Sequence, residues 1–340
     1  MKRILLSFFS VFALLVLFNA FSTDVDLYAD YKDITVVYGL LDSGQDTNFI
    51  KINKAFLGPG NAFEIALIDD SCNYPGKLDA KLIEFRANAM GHNYQQTRVL
   101  PLDTITVHNK DLGIFYAPDQ LIYYTKERIY SNTDHYNYKY ELQIDRGDTI
   151  LKSTTEMVGG YGFTIATAMG SFAAPDATPI KFYPCPNAAI YEVVLKFRFT
   201  EVSSSLDSVE RCMTWSLGTY SEEELKKNME QGRYVVSHKS SLFYTSLASF
   251  LGNDTLNQSV DRVVKDNSLC VSIAAGGYEL YNFISVNGPS SSIVQNIPEY
   301  TNIIGGYGVF SSRTMKEKWI NMNSINNLMD RHENWRFRQG

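Results

Sequence analysis

Five histidines are the first place to look for chemistry: His92, His108, His135, His238 and His332. No two lie within four residues of each other, so the spacings that put two imidazoles on one metal are missing. Four cysteines, Cys72, Cys185, Cys212 and Cys270, are far apart and form no C-x-x-C. They supply no local zinc site, and four cysteines allow three disulfide pairings. A Cys185–Cys212 bridge, a Cys212–Cys270 bridge and buried free thiols all remain open. No Gly-x-Ser-x-Gly elbow exists to expose a nucleophilic serine. Gly305-Gly306-Tyr307-Gly308 lacks the Lys-Ser/Thr that a phosphate loop needs, so these glycines read as a tight turn or bulge packed on Tyr307 and Phe310. Asp24-Val25-Asp26 and Asp69-Asp70 lack the ligand spacing of a calcium loop. Arg146-Gly147-Asp148 spells an adhesion tripeptide, but a turn between two strands calls for the same residue types. No catalytic, metal-ligating or cofactor-binding set emerges, and a non-enzymatic protein without cofactor is expected.

The aromatics offer binding instead. The chain has 22 Tyr, 20 Phe and 3 Trp, enough to supply both a core and a surface. A sugar site stacks rings on sugar faces and surrounds them with amides and carboxylates. Tyr123, Tyr124, Trp215 and Trp319 are the candidates, with Tyr130 and Trp335 beside them. The competing reading is that strand aromatics fill sandwich cores.

Such residues need elements to hold them. At 340 residues and 45% hydrophobic composition, the chain can bury real cores. Its net charge of −6 comes with no basic cluster, which argues against nucleic acid as a partner. Strand patterns dominate. Ile34 to Leu40 is β-branched and apolar, and Asn48 to Phe56 returns after a turn. Tyr136 to Ile144 puts an apolar or aromatic residue at every second position, the signature of a strand with one face on a core. An immunoglobulin- or fibronectin-like β-sandwich over 33–158 is therefore expected. Gly159-Gly160-Tyr161-Gly162 reads as a joint. A second β-rich domain over 163–312 follows, with two inserted helices near 221–231 and 241–251. Ser221 and Glu224 form a capping box for the first. Leu269–Ala274 and Tyr278–Val286 read as strands, and 313–340 as a polar tail.

At the start, Met1-Lys2-Arg3 precedes the mostly apolar run Ile4–Phe21, and an acidic stretch follows. This is the layout of an export signal over 1–21. It resembles a lipoprotein signal, except that Phe21 stands where the lipid-bearing Cys belongs.

Val36-Val37-Tyr38-Gly39-Leu40-Leu41, Asp46 to Ile52, and the late segment Thr301-Asn302-Ile303-Ile304-Gly305-Gly306-Tyr307-Gly308-Val309-Phe310 together resemble a family of uncharacterised envelope lipoproteins of Gram-negative, Bacteroidota-type bacteria. The likeness spans roughly 30–312. It implies an exported periplasmic or outer-membrane protein, encoded beside TonB-dependent receptors and accessory to nutrient or glycan uptake. Asn302, Gly305, Gly306, Gly308 and Phe310 belong to its structural motif, and no catalytic residues carry over. Phe21 departs from the pattern and leaves the lipid anchor in question. The alternative function is a structural or adhesin-like surface protein with no small-molecule ligand.

Overall fold

The computed structural model of the chain describes residues 32–57, 61–91, 93–108, 111, 113, 116, 119–205, 207–252, 260–288, 299–323, 325–326 and 335–340. The export signal over 1–21 lies outside them, as do His92 and His332. Among the described residues no helix is long and apolar enough to cross a membrane.

The fold is mainly β and of sandwich type. The first half carries β1 (Lys32–Asp42), β2 (Asn48–Leu57), two single-turn helices α1 (Ala62–Ile65) and α2 (Asp69–Cys72), β3 (Asp79–Asn88), β4 (Gln95–Pro101), β5 (Asp103–Val107), β6 (Gln120–Thr125), β7 (Tyr136–Asp145) and β8 (Ile150–Glu156). β1, β2, β6 and β5 hydrogen-bond in that order, and β4-β3-β7-β8 make a second sheet. The two pack on each other because alternation sends one set of side chains inward. Val37, Ile50 and Tyr123 from one sheet meet Leu82, Tyr140, Leu142 and Leu151 from the other in a single buried cluster. Each such side chain contributes roughly 1.5–3 kcal/mol by leaving water.

The second half carries β9 (Met169–Gly170), β10 (Ile180–Phe182), β11 (Ile190–Ser203), β12 (Ser208–Ser221), α3 (Glu222–Lys226), β13 (Met229–Glu230), β14 (Arg233–Val236), α4 (Ser240–Leu251), β15 (Val260–Val264), β16 (Leu269–Gly276), α5 (Tyr278–Asn287), β17 (Tyr307–Met322) and β18 (Phe337–Gln339). Its core is a separate cluster in which the inward residues of β11, Tyr191 through Phe199, pack on Phe243 and Leu247 of α4.

Several expectations need correction. The capping box at Ser221 and Glu224 forms, but α3 ends at Lys226 and β13 replaces its predicted second half. Tyr278–Val286 is the helix α5, not a strand. The polar tail does not exist as such: β17 runs on to Met322, and Trp335 and Phe337 are buried in the second core. Residues up to Met157 pack in the first core and most of those from Val158 onward in the second, but Ile303 and Phe310 return to the first, and one sheet crosses between them. The first stretch of β17 pairs parallel with β1, from Val36↔Tyr307 to Asp42↔Arg313. From Arg313 onward it pairs antiparallel with β16. Gly159 is not a free joint either, since its N–H donates to the Pro186 carbonyl at 3.1 Å. Beside it the Ser312 hydroxyl donates to the Glu156 carbonyl at 2.7 Å and accepts from the Val158 N–H at 2.8 Å.

All four cysteines are free. Cys212 sits opposite Arg198 on one side of β11, and Cys270 opposite Lys196 on the other. Two strand spacings, about 9–10 Å, exceed the roughly 7 Å that a disulfide spans. Cys185 lies in the second core, while Cys212 is exposed on the outer face of the sheet, so that pair is excluded as well. Burial pushes the thiols of Cys185 up to about 12 and Cys270 up to about 11, so neither is a nucleophile at neutral pH.

Candidate functional site

A groove follows β4, the outer strand of the four-stranded sheet. Along its second half lies an open cleft of about 730 Å³, lined by Arg98 to Pro101, Asp103, Tyr124, Thr125, Lys126 and Glu127. β4 supplies one wall, and β6 with the residues after it supplies the other.

Strand pairing sets the Arg98 guanidinium in place. In the β3–β4 register Glu84 faces Arg98. Glu84 is buried, and its carboxylate accepts from Arg98 Nε at 3.1 Å, Thr97 Oγ1 at 2.7 Å and Tyr140 Oη at 2.6 Å, with Arg98 Nη2 in close contact as well. Tyr140 Oη accepts in turn from the Tyr130 N–H at 2.9 Å, and Arg98 Nη2 also reaches the Arg128 carbonyl at 2.7 Å. Burial alone would raise the Glu84 carboxyl. The hydrogen bonds from Arg98, Tyr140 and Thr97, with the Arg98 charge, outweigh it and hold the group below the usual carboxylate range. A depressed carboxyl adds stability above its unfolded pKa and loses that contribution as pH falls through the folded one. Glu84→Gln should therefore cost about 2 kcal/mol at pH 7, short of a fully buried pair because Arg98 is partly solvated. In urea titrations the gap to the parent should close below about pH 4. A gap that is unchanged at pH 3 would refute the assignment.

Tyr124 is the one predicted stacking residue in this cleft. Its ring is half-buried, lies 6.3 Å from that of Phe49, and has Lys126 Nζ 5.9 Å from its centroid. Phe49 is 53% exposed, so the pair offers an apolar shelf beside Asp103, Glu127, Lys126 and Arg98. The structure does not bring the other candidates here. Tyr123 is buried in the first core, and its hydroxyl accepts from the Leu78 N–H at 2.8 Å. Tyr130 has Arg98 and Arg128 at its ring and is stacked on Tyr138. Trp215 packs against the second core, edge-on to His238 and near Phe243. Trp319 is on the outer face of β17, with the Arg198 guanidinium 4.3 Å from its ring. Trp335 is buried. Five of these six rings therefore stabilise the fold or its surface.

The glycine motif packs into the start of β17. The Asn302 side-chain amide takes both backbone groups of Phe310: Oδ1 accepts its N–H at 2.9 Å, and Nδ2 donates to its carbonyl at 2.6 Å. Gly306 and Gly308 let β17 pass close to β1. Phe310 is buried, whereas Tyr307, expected to pack there, is about half exposed. Gly305, Gly306 and Tyr307 join Asp33, Arg146, Asp148 and Glu299 around a shallow cleft of about 800 Å³. Arg146 donates to Thr35 Oγ1 at 3.3 Å and to Asp148 at 3.2 Å. The adhesion tripeptide is thus a hairpin turn whose arginine is engaged within the fold.

Among the described histidines, His108 pairs with Asp119 at 2.7 Å and His135 lies 3.6 Å from Asp134, both exposed. Burial holds His238 below its ordinary pKa. No group of three or more His, Cys, Asp or Glu among the described residues could hold a metal.

The sequence reading missed Glu84, Arg98, Asp103, Lys126 and Glu127. Two signals pointed to them. Glu84 interrupts the apolar run Leu82-Ile83-Glu84-Phe85, and a charge on a buried strand demands a partner. Tyr123-Tyr124-Thr125-Lys126-Glu127-Arg128-Ile129-Tyr130 mixes rings and charges more densely than a core strand needs. No protein-family model and no curated protein matches the chain.

Proposed function

We propose that this protein is a non-enzymatic binding protein of the cell envelope, holding a polyhydroxylated ligand, a glycan, in the groove along β4 for uptake by a TonB-dependent receptor. One observation carries the reading: the half-buried Tyr124 ring, with the exposed Phe49 beside it, in a cleft of about 730 Å³ rimmed by Asp103, Glu127, Lys126 and Arg98. Aromatic faces take the C–H face of a sugar, and charged side chains at the rim take its hydroxyls. The Glu84 network keeps the rim rigid before ligand arrives, which lowers the ordering cost of binding. The N-terminal apolar run and the likeness to envelope lipoproteins support the location and the partner.

A glycan array probed with the full chain should give saccharide hits. Tyr124→Ala should weaken the best of them about tenfold, roughly 1.4 kcal/mol, while Trp319→Ala leaves them unchanged. An array without hits, or hits indifferent to Tyr124→Ala, would overturn the reading. An adhesin acting through Arg146-Gly147-Asp148 is disfavoured, because Arg146 is tied to Thr35.

A further inference from the structure

A second pocket lies at the other end of β4. It holds about 360 Å³ and is lined by Arg86, Ala87, Asn88, Gly91, Asn93, Gln95, Thr97 and Tyr136. Glu84 links it to the first: Thr97 lines this pocket and Arg98 the other, and at the register shift of β3 and β4 both donate to the one Glu84 carboxylate. One extended ligand lying along β4 could reach both.

The chemistry of the two pockets differs. The first has carboxylates at its rim, and this one has none among the described residues that line it. The carboxylate nearest by bonding is Glu84, which accepts from Thr97 but is buried and paired with Arg98. Arg86 sits opposite Gln95 in the β3–β4 register and opposite Tyr138 in the β3–β7 register. Its guanidinium lies 4.5 Å from the centre of the Tyr136 ring. Among the described residues it makes no ion pair. A guanidinium stacked on a ring keeps its planar fork of N–H donors open at the edge. Around it stand Asn88, Asn93 and Gln95, whose amides both donate and accept, with Gln95 Nε2 already donating to Asn93 Oδ1 at 2.9 Å. Amides suit vicinal hydroxyls, and a fixed arginine fork suits a carboxylate through two parallel hydrogen bonds. The volume is near the lower end of small-molecule pockets, about 300–1,000 Å³, so it fits one sugar rather than a chain.

We infer that the Arg86–Tyr136 pocket is a subsite for a carboxylate-bearing sugar, which makes the glycan of the β4 groove an acidic one. This deepens the glycan reading and rests on it for the neighbouring groove. The carboxylate pairs with Arg86, and the ring hydroxyls with Asn88, Asn93 and Gln95.

The test is calorimetric titration of the full chain with tri-galacturonate and with its fully methyl-esterified form, which keeps the sugar rings but replaces each carboxylate by a neutral methyl ester. The acid should bind at least about tenfold tighter, and the preference should shrink as salt is added. Arg86→Gln, a change at an exposed side chain, should erase the preference with thermal unfolding unchanged. Arg86→Lys, which keeps the charge but not the fork, should restore part of it. Tyr124→Ala should weaken acid and ester alike and leave their ratio intact. Equal affinity for acid and ester, or a preference that survives Arg86→Gln, would overturn the subsite while leaving a neutral-glycan groove standing. Competition by inorganic sulfate as strong as by free galacturonate would overturn the carboxylate assignment. If neither trisaccharide binds but free galacturonate does, and Arg86→Gln abolishes it, the subsite stands without the groove. If no saccharide binds, both fall.

Discussion

Gly308→Ala is expected to abolish the folded state. Gly308 lies opposite Val37 where β17 runs parallel to β1. Its φ is +110°, outside the range that L side chains adopt. An added Cβ would stand 2.0 Å from the Val37 carbonyl oxygen and 2.9 Å from its carbon. Neither is the end of a flexible side chain, so the clash can be relieved only by separating two strands. That would break the register joining the two halves of the molecule and pull Phe310 from the first core. The cost should exceed about 4 kcal/mol, a large part of the stability of a typical domain. Gly147→Ala is the control. Gly147 also has a positive φ, +89°, but no atom lies within 4 Å of its added Cβ. It should pay only backbone strain, about 1–2 kcal/mol. Circular dichroism and urea unfolding of the two variants separate close approach from strain. A Gly308→Ala protein that melts cooperatively within a few degrees of the parent would disprove the account.

Arg262 carries the second large effect. It is fully buried on β15. Its Nε donates to Glu201 Oε1 at 3.0 Å, its Nη1 to the Trp335 carbonyl at 2.8 Å, and its backbone N–H to the Arg336 carbonyl at 2.9 Å. It therefore fixes the C-terminal segment, which pairs parallel with β15 from Arg262↔Phe337 to Val264↔Gln339. A buried ion pair gives little net stability, but removing one partner strands the other. Glu201→Ala should cost about 3–5 kcal/mol, because it removes the carboxylate that accepts from the buried Arg262 Nε. Arg262→Met should cost less, since Glu201 keeps Arg211 at 3.2 Å. It should still release the end of the chain, raising amide exchange at Phe337 to Gln339 before the rest of the fold opens. An Arg262→Met variant that retains slow exchange there would show that apolar packing of Trp335 and Phe337 suffices.

Tyr136 to Ile144 was legible because its alternation is complete and both neighbours are strands. Tyr278-Glu279-Leu280-Tyr281-Asn282-Phe283-Ile284-Ser285-Val286 was misread, since a short apolar run fits either period. It is helical because Leu280 and Phe283 turn toward the sheet, Phe283 meeting Tyr38 edge-on at 6.0 Å. Meanwhile Glu279 accepts from Ser311 Oγ at 3.0 Å and Thr155 Oγ1 at 3.3 Å. Ser311 to Met322 looked like a tail for a different reason. Much of Arg313 to Trp319 is solvated on both faces, so no alternation marks it, and only the β1 and β16 edges make it a strand.

The sequence alone determined a mainly β chain and the capping box at Ser221. Those properties follow from periodicity and from backbone geometry, which act between near neighbours. The tertiary structure decided which rings are buried and which meet solvent, that Glu84 faces Arg98 across a strand pair, and that Arg86 rests on Tyr136 with its fork open. Such juxtapositions join residues separated by 14 to 50 positions. They are set by strand register, and register depends on how the whole sheet buries its inner face.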